Sequence, residues 1–260
     1  MARKTDSKGI VKTLIFCAIV LVLLFGLRSL FPAFNKKETA TVKTSEQVLP
    51  TAKLATKTEK SETGTYSVEI TNPVVTGLGD VVNKKINTTI LAKTAEMKQS
   101  FLDDISGLAM VDGPGEKSTL SIDFDPEQKH EAYDILSLPL QVETYANGAA
   151  HPNNYKNVLH FNIKTGDVVM LPDIFKDKNT AYHTVSKVAT KKLDELFAKE
   201  GNPDWFQGGA GPEADNYENF ILDMDTLTII FNPYQVAAYA RGEVPIELSL
   251  SMFPDMLSLR

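Results

Sequence analysis

Four histidines, two pairs of aspartates and two glycine-bearing segments are the residues of this 260-residue chain whose types could do chemistry. His130, His151, His160 and His183 show neither the i, i+4 spacing nor the companion Cys or Glu that a zinc site needs. His160 falls on the polar side of an alternating segment with Lys156 and Asn162, and His183 opens a helix, so both are expected at the surface. His151 lies among small residues beside Pro152, where a histidine either meets a ligand or hydrogen-bonds its own loop. Lys164-Thr165-Gly166 is the triplet that accompanies penicillin-binding active sites. The Ser-x-x-Lys nucleophile of that chemistry does not occur, so the triplet reads as a turn. Gly208-Gly209-Ala210-Gly211 is followed by Pro212, Glu213 and Asp215 rather than Lys-Ser/Thr, and an acidic rim repels phosphate. Asp123/Asp125 and Asp223/Asp225 lack the remaining ligands of a calcium loop. There is no Gly-x-Ser-x-Gly elbow either. The residues therefore name no catalytic group, no cofactor and no metal ligand.

The elements that must position the candidates follow from periodicity. Tyr66 to Thr76 reads as a strand interrupted at Pro73. After Gly77 and Gly79, Val82, Ile86, Ile90, Met97, Phe101 and Ile105 mark one face of a long helix. Leu120, Ile122 and Phe124 alternate with polar residues as a half-buried strand does. Leu136 to Val142 and Tyr155 to Ile163 alternate likewise, giving a β-hairpin whose long connection, Asn147 to Asn154, holds His151. Val185, Val188, Ala189, Leu193, Leu196 and Phe197 define a second helix, capped by Asn179 or Thr180, which leads to a Trp205 loop. Two strands, over Leu227 to Phe231 and Val244 to Leu250, flank a turn and short helix at 232–242.

Residues 10–31 form an apolar stretch behind Arg3, Lys4, Lys8 and Lys12, the layout of a signal anchor. At 1.5 Å per residue it is long enough for a hydrocarbon core of roughly 30 Å. The unbroken apolar run Leu14 to Leu27 within it is followed by Arg-Ser-Leu-Phe-Pro-Ala-Phe rather than small cleavage-site residues, so an uncleaved anchor is expected, N-terminus in and C-terminus out. Its Cys17 is the only cysteine, so the remainder has neither disulfide nor thiolate site. Residues 32–65, rich in Lys, Thr, Glu and Ser without apolar periodicity, read as a flexible linker. The chain has 27 Lys+Arg and 33 Asp+Glu. Residues 1–65 hold 11 and 5 of these, which leaves 16 and 28, a net −12, on the rest. A domain that acidic repels nucleic acid. The expected fold is α+β, a largely antiparallel sheet with two main amphipathic helices, preceded by one transmembrane helix and a disordered stalk. The expected divisions are a short cytoplasmic tail (1–9), the anchor (10–31), the linker (32–65), a small N-terminal α/β subdomain (66–112) and a C-terminal α+β domain (113–260).

Tyr145-Ala-Asn-Gly-Ala-Ala-His151-Pro-Asn, with Phe161-Asn-Ile-Lys-Thr-Gly166 and Leu171-Pro-Asp-Ile-Phe175, resembles a bacterial domain family of unknown function. Phe231-Asn-Pro-Tyr-Gln-Val-Ala-Ala-Tyr239-Ala-Arg-Gly resembles the family's second hallmark, a Pro-Tyr segment ending in Gly, in the right order. The region from Tyr66 to Phe101, with Pro73, Gly77, Asn83 and Asn87, is similar to the smaller domain that precedes it. Ala149 stands where members commonly carry a second glycine. The resemblance implies the extracellular part of lysozyme-sensing anti-sigma factors, or the region accompanying the catalytic domain of some peptidoglycan deacetylases. The basic tail is too short to fold around a sigma factor and no deacetylase segment is present, so a sensor or accessory part without those outputs is expected.

The functional expectation is a non-enzymatic, extracytoplasmic binding module at the cell membrane, capturing lysozyme or another cell-wall-associated ligand. An acidic surface steers basic proteins. The alternative is a peptidoglycan-binding accessory domain whose aromatics Tyr145, Tyr155, Trp205 and Tyr217 stack on sugars; the same residues also read as core or loop anchors. A small hydrolase using His151 is a third reading without a nameable partner residue. The candidate ligand-binding residues are Tyr145, Asn147, Gly148, His151, Tyr155, Trp205 and Tyr234.

Overall fold

A computed structural model describes residues 51–106, 117–201 and 205–253. The expected anchor at 10–31 lies outside these residues. Within them no helix is long and apolar enough to cross a membrane.

Strands β1 (Lys53–Glu62) and β2 (Tyr66–Thr76) form an antiparallel hairpin. Helix α1 (Asp80–Ser106) then crosses over, and β3 (Ser118–Phe124) pairs in parallel with β2. Strand β5 (Ile135–Tyr145) takes β3 and the short β4 (His130–Ala132) on one edge and β6 (Asn153–Asn162) on the other. The result is a six-stranded mixed sheet. A second, antiparallel sheet has the order β7 (Phe220–Leu222), β8 (Thr226–Phe231), β9 (Val244–Ser249), and helix α2 (Ala181–Lys199) belongs to its layer.

Two cores result. One gathers Ile86, Ile90 and Phe101 of α1 with Val68, Ile70, Leu120, Ile122 and the Leu136/Leu138/Leu140/Val142 row of β5. The other gathers Val185, Ala189, Leu193 and Phe197 of α2 with Trp205, Tyr217, Leu227, Ile229, Phe231 and Phe253. The helices bury residues at three- to four-residue steps or multiples of them, and β3 and β9 bury alternate residues, as their periods require, while the central β5 is buried on both faces over 135–140.

The fold class holds as α+β with two helices, but several expectations change. Residues 53–62, expected within a flexible linker, form β1. This strand is exposed on both faces, so it carries no alternation to read, and its backbone pairing to β2 holds it. The six-stranded sheet crosses residue 112, the expected subdomain boundary, because β2 pairs with β3. Neither Asn179 nor Thr180 caps α2 with its side chain; the Asp177 carboxylate instead accepts from the Asn179 N–H and the Thr180 hydroxyl. Strands β4 and β7, of three residues each, are too short to show a period.

Asparagine side chains do much of the stitching. Asn87 of α1 accepts from the Val75 N–H and donates to the Val75 carbonyl, both at 2.8 Å, as a strand neighbour would. On the open edge of β6, Asn232 accepts from the Lys156 N–H at 2.9 Å and donates to its carbonyl at 3.0 Å. Asn219 accepts from the Val158 N–H at 2.9 Å. Backbone groups left without a sheet partner are thereby satisfied.

Candidate functional site

The β5–β6 connection and the segment after β8 meet. Asn232 accepts from the Gln235 N–H through its backbone carbonyl, and its own N–H donates to Gln235 Oε1, both at 3.0 Å. This tight turn holds Tyr234 at φ +68°, a left-handed conformation costing a non-glycine residue on the order of 1–2 kcal/mol. Strain of that kind persists where surroundings enforce it, and it clusters at functional sites. Tyr234 is thereby held 55% exposed.

Below it, the Tyr239 hydroxyl donates to the Pro152 carbonyl at 2.7 Å, tying the two segments together. The His151 ring stacks on Tyr239 with centroids 4.0 Å apart and planes 20° apart. The Tyr234 ring lies 5.3 Å from that of Tyr239, and its hydroxyl is 3.5 Å from His151 Nε2. His151 Nδ1–H donates to the Pro152 carbonyl at 2.8 Å, which leaves Nε2 as the acceptor facing Tyr234. Three rings thus form a ledge that two hydrogen-bonded turns hold rigid.

The expected site residues divide around this ledge. His151 and Tyr234 belong to it, and Tyr239 joins them; its position in the Pro-Tyr segment was legible, but its role as the base of the stack was not. Gly148, at φ +87°, and Asn147, whose N–H donates to Ser118 Oγ at 2.9 Å, shape the loop rather than face the rings. Tyr145 ends β5 opposite Thr119 and is half-buried. Tyr155 lines a hollow against α1, where burial, and then the Asp104 carboxylate, raise its phenol pKa.

Trp205 and Tyr217, read as exposed sugar-stacking aromatics, are buried core residues instead. Trp205 Nε1–H donates to Asp194 Oδ1 at 2.9 Å, and its ring is stacked 6.3 Å from Phe197. The Tyr217 hydroxyl donates to the Ala210 carbonyl at 2.7 Å, and burial pushes its pKa up to about 12. The glycine loop brings Trp205 inward. A Cβ on Gly209 would stand 1.7 Å from the Gln235 carbonyl oxygen, so only glycine permits this approach.

His160, expected at the surface, is 4% exposed and stacked 3.8 Å above Phe220. The polar side of β6 is covered by the β7 segment, which sequence alternation in β6 alone does not reveal. Burial lowers the His160 pKa to about 3, against a smaller raising effect from Nε2–H donation to the Glu218 carbonyl. Its Nδ1 therefore accepts from Ser137 Oγ at 3.0 Å. His183 is exposed on α2, as expected. The acidic pairs serve the fold: Asp125 caps a short 3₁₀ turn, and Asp223 Oδ1 meets His130 Nδ1 at 3.0 Å. Among the described residues no group of three or more His, Cys, Asp or Glu is placed to hold a metal.

Residues 172–251 match a family described as a protein of unknown function, DUF3298. The chain is 24% identical over 141 residues to the peptidoglycan-N-acetylmuramic acid deacetylase PdaC of Bacillus subtilis strain 168. That alignment covers 54% of this chain and only 30% of the relative. Among solved structures, a DUF3298 member from Bacteroides fragilis superposes with a TM-score of 0.57 at 15% identity, covering 81% of this chain and 95% of the other. A DUF3298 protein from Pseudomonas aeruginosa PAO1 gives 0.54 at 11% identity, covering 80% and 94%. These two likenesses are of fold. The family match takes in Tyr234, Tyr239 and all of α2 and β7 to β9, whereas His151 lies before it. The match to DUF3298 thus falls on residues 172–251, and the six-stranded sheet before them supplies the other half of the aromatic ledge.

Proposed function

We propose that the chain is a non-enzymatic binding module of the cell envelope, held at the membrane by residues 10–31 with its folded part outside, and that the His151–Tyr234–Tyr239 ledge contacts peptidoglycan. The observation that carries this reading is the ledge itself. An exposed, strained tyrosine beside a stacked His/Tyr pair offers apolar ring faces with polar edges, and little entropy is lost when it takes up a ligand. The PdaC relative is a peptidoglycan-N-acetylmuramic acid deacetylase, which points to the same polymer. A hydrolytic role for His151 is disfavoured because its Nδ1–H is engaged by the Pro152 carbonyl rather than oriented by a carboxylate.

The test is co-sedimentation of the full chain, in detergent, with purified peptidoglycan sacculi at physiological salt. Saturable binding is expected. No binding by protein shown to be folded would overturn the reading.

The net −12 of residues 66–260 favours a second reading, capture of a cationic muramidase. Calorimetric titration with a c-type lysozyme at low and physiological salt separates the two. Heat that survives physiological salt supports capture; heat seen only at low salt marks nonspecific charge attraction.

A further inference from the structure

Between α1 and β6 two hollows adjoin. The first, of about 300 Å³, is polar and is lined by Glu96, Ser100, Asp104, Asn153 and Tyr155. The second, of about 220 Å³, is largely apolar and is walled by Leu159, Phe161, Val168, Met170 and Phe220. Lys93 and Asn157 line both, so the two form one cleft. Together they fall within the roughly 300–1,000 Å³ of small-ligand sites. The polar end begins at Asn153, two residues on from His151 of the ledge.

At the junction the Asn157 side-chain oxygen is fully buried and has no hydrogen-bond partner, the only such side-chain atom among the described residues. A buried unmet acceptor costs about 1–3 kcal/mol. Exchanging its oxygen and nitrogen would merely bury donors there instead. A bridging water needs two to four polar partners, and one side of this junction is apolar. At the apolar mouth, Val168 and Met170 stand 51% and 42% exposed, large side chains held in solvent beside the hollow. The cleft therefore presents an amide at the centre, an apolar recess on one side and hydroxyl-binding groups on the other.

We propose that this cleft binds an uncharged N-acylated amino sugar. A rotation of the Asn157 side chain, whose oxygen is buried at the junction, lets the sugar amide N–H donate to Oδ1, while the acyl methyl enters the apolar hollow and the ring hydroxyls meet Asp104, Asn153 and Tyr155. Lys93, 38% exposed and 3.2 Å from Glu96, has ammonium hydrogens to spare for the acyl carbonyl. Glu96 and Asp104 disfavour a sugar that bears a carboxylate. This inference rests on the wall-binding reading and adds which part of the sugar is recognised.

The test titrates the full chain in detergent with the N-acetylglucosamine trisaccharide and with cellotriose, an uncharged trisaccharide that has hydroxyls in place of the acetamido groups. The acetylated sugar is expected to bind at least tenfold more tightly, and Asn157→Leu to abolish that preference. Met170→Glu, at an exposed position, should weaken the acetylated sugar likewise, so the inference does not depend on one variant folding. Equal affinities, binding of neither sugar, or a preference that survives both substitutions would overturn it. Sacculus binding that requires Tyr234 while the two trisaccharides bind equally would retain the ledge and remove the cleft. A trisaccharide preference without Tyr234-dependent sacculus binding would do the reverse.

Discussion

The two helix-on-sheet layers differ in how they are closed. The α2 layer is sealed by aromatic rings, with Phe175, Phe197, Trp205, Tyr217, Phe220, Phe231 and Phe253 all buried in its core. The α1 layer buries only Phe101, Phe124 and Phe161 among its rings, and the cleft with the unpaired Asn157 oxygen runs between α1 and β6, with Leu171, Tyr217 and Phe220 of the α2 core walling its apolar end. Even the polar groups follow this division. Ser186 and Tyr217 in the sealed layer both donate to the Ala210 carbonyl, at 2.6 and 2.7 Å. In the α1 layer the Thr94 hydroxyl meets Asn72 Oδ1 at 2.8 Å, but Asn157 lacks any such partner. The difference teaches where unmet groups remain: the α2 core is filled by rings, and the ledge and the cleft proposed for recognition lie at its rim and beside it.

Substitutions sharpen this contrast. Phe197→Ala should cost the most, about 3–5 kcal/mol in denaturant unfolding, because it empties a fully packed site. A loss under 1 kcal/mol would mean that the α2 layer is not sealed. Asn87→Ala and Asn232→Ala each remove a paired donor and acceptor from a strand backbone, and each should cost about 2 kcal/mol. Asn232→Ala should also release Tyr234 and weaken ligand binding, which Asn87→Ala should not.

His160 predicts a pH dependence. Its folded pKa of about 3 lies below the unfolded value of 6.5, so between these values the unfolded chain takes up a proton that the folded chain refuses. Stability is full well above pH 6.5 and falls as the pH drops, by about 2 kcal/mol in all by pH 5. His160→Gln should flatten that window, and an unchanged slope would show that the histidine is not desolvated. The smallest effect is expected in the open layer. Asn157→Leu should leave stability within about 0.5 kcal/mol of the parent, or raise it, because it removes an unmet acceptor.

Both helices and the strands β2, β3, β5, β6, β8 and β9 were legible in the sequence because each carries an apolar row at its own period, even β5, which is buried on both faces over 135–140. Strand β1 was not, because it buries neither face. The His151 loop and the Pro-Tyr segment were both recognisable, yet their meeting depends on the Tyr239–Pro152 hydrogen bond across 87 residues, which no local pattern encodes. The surface reading of His160 and the sugar-stacking reading of Trp205 and Tyr217 fail for one shared reason, while the core reading of the two aromatics holds. Burial by a distant segment, whether the Gly209 approach to Gln235 or β7 over β6, overrides the polarity of sequence neighbours. The cleft left no sequence signal at all, since Lys93 and Asn157 become neighbours only when α1 lies along β6.

The most direct test of the central claim compares sacculus binding of the full chain with that of Tyr234→Ala, using Trp-based unfolding to confirm that both are folded. The ledge predicts at least a tenfold loss of affinity in the variant, with stability little changed, because Tyr234 is exposed and alanine keeps the Cβ that makes the left-handed turn costly. Affinity unchanged in a folded Tyr234→Ala protein would contradict it.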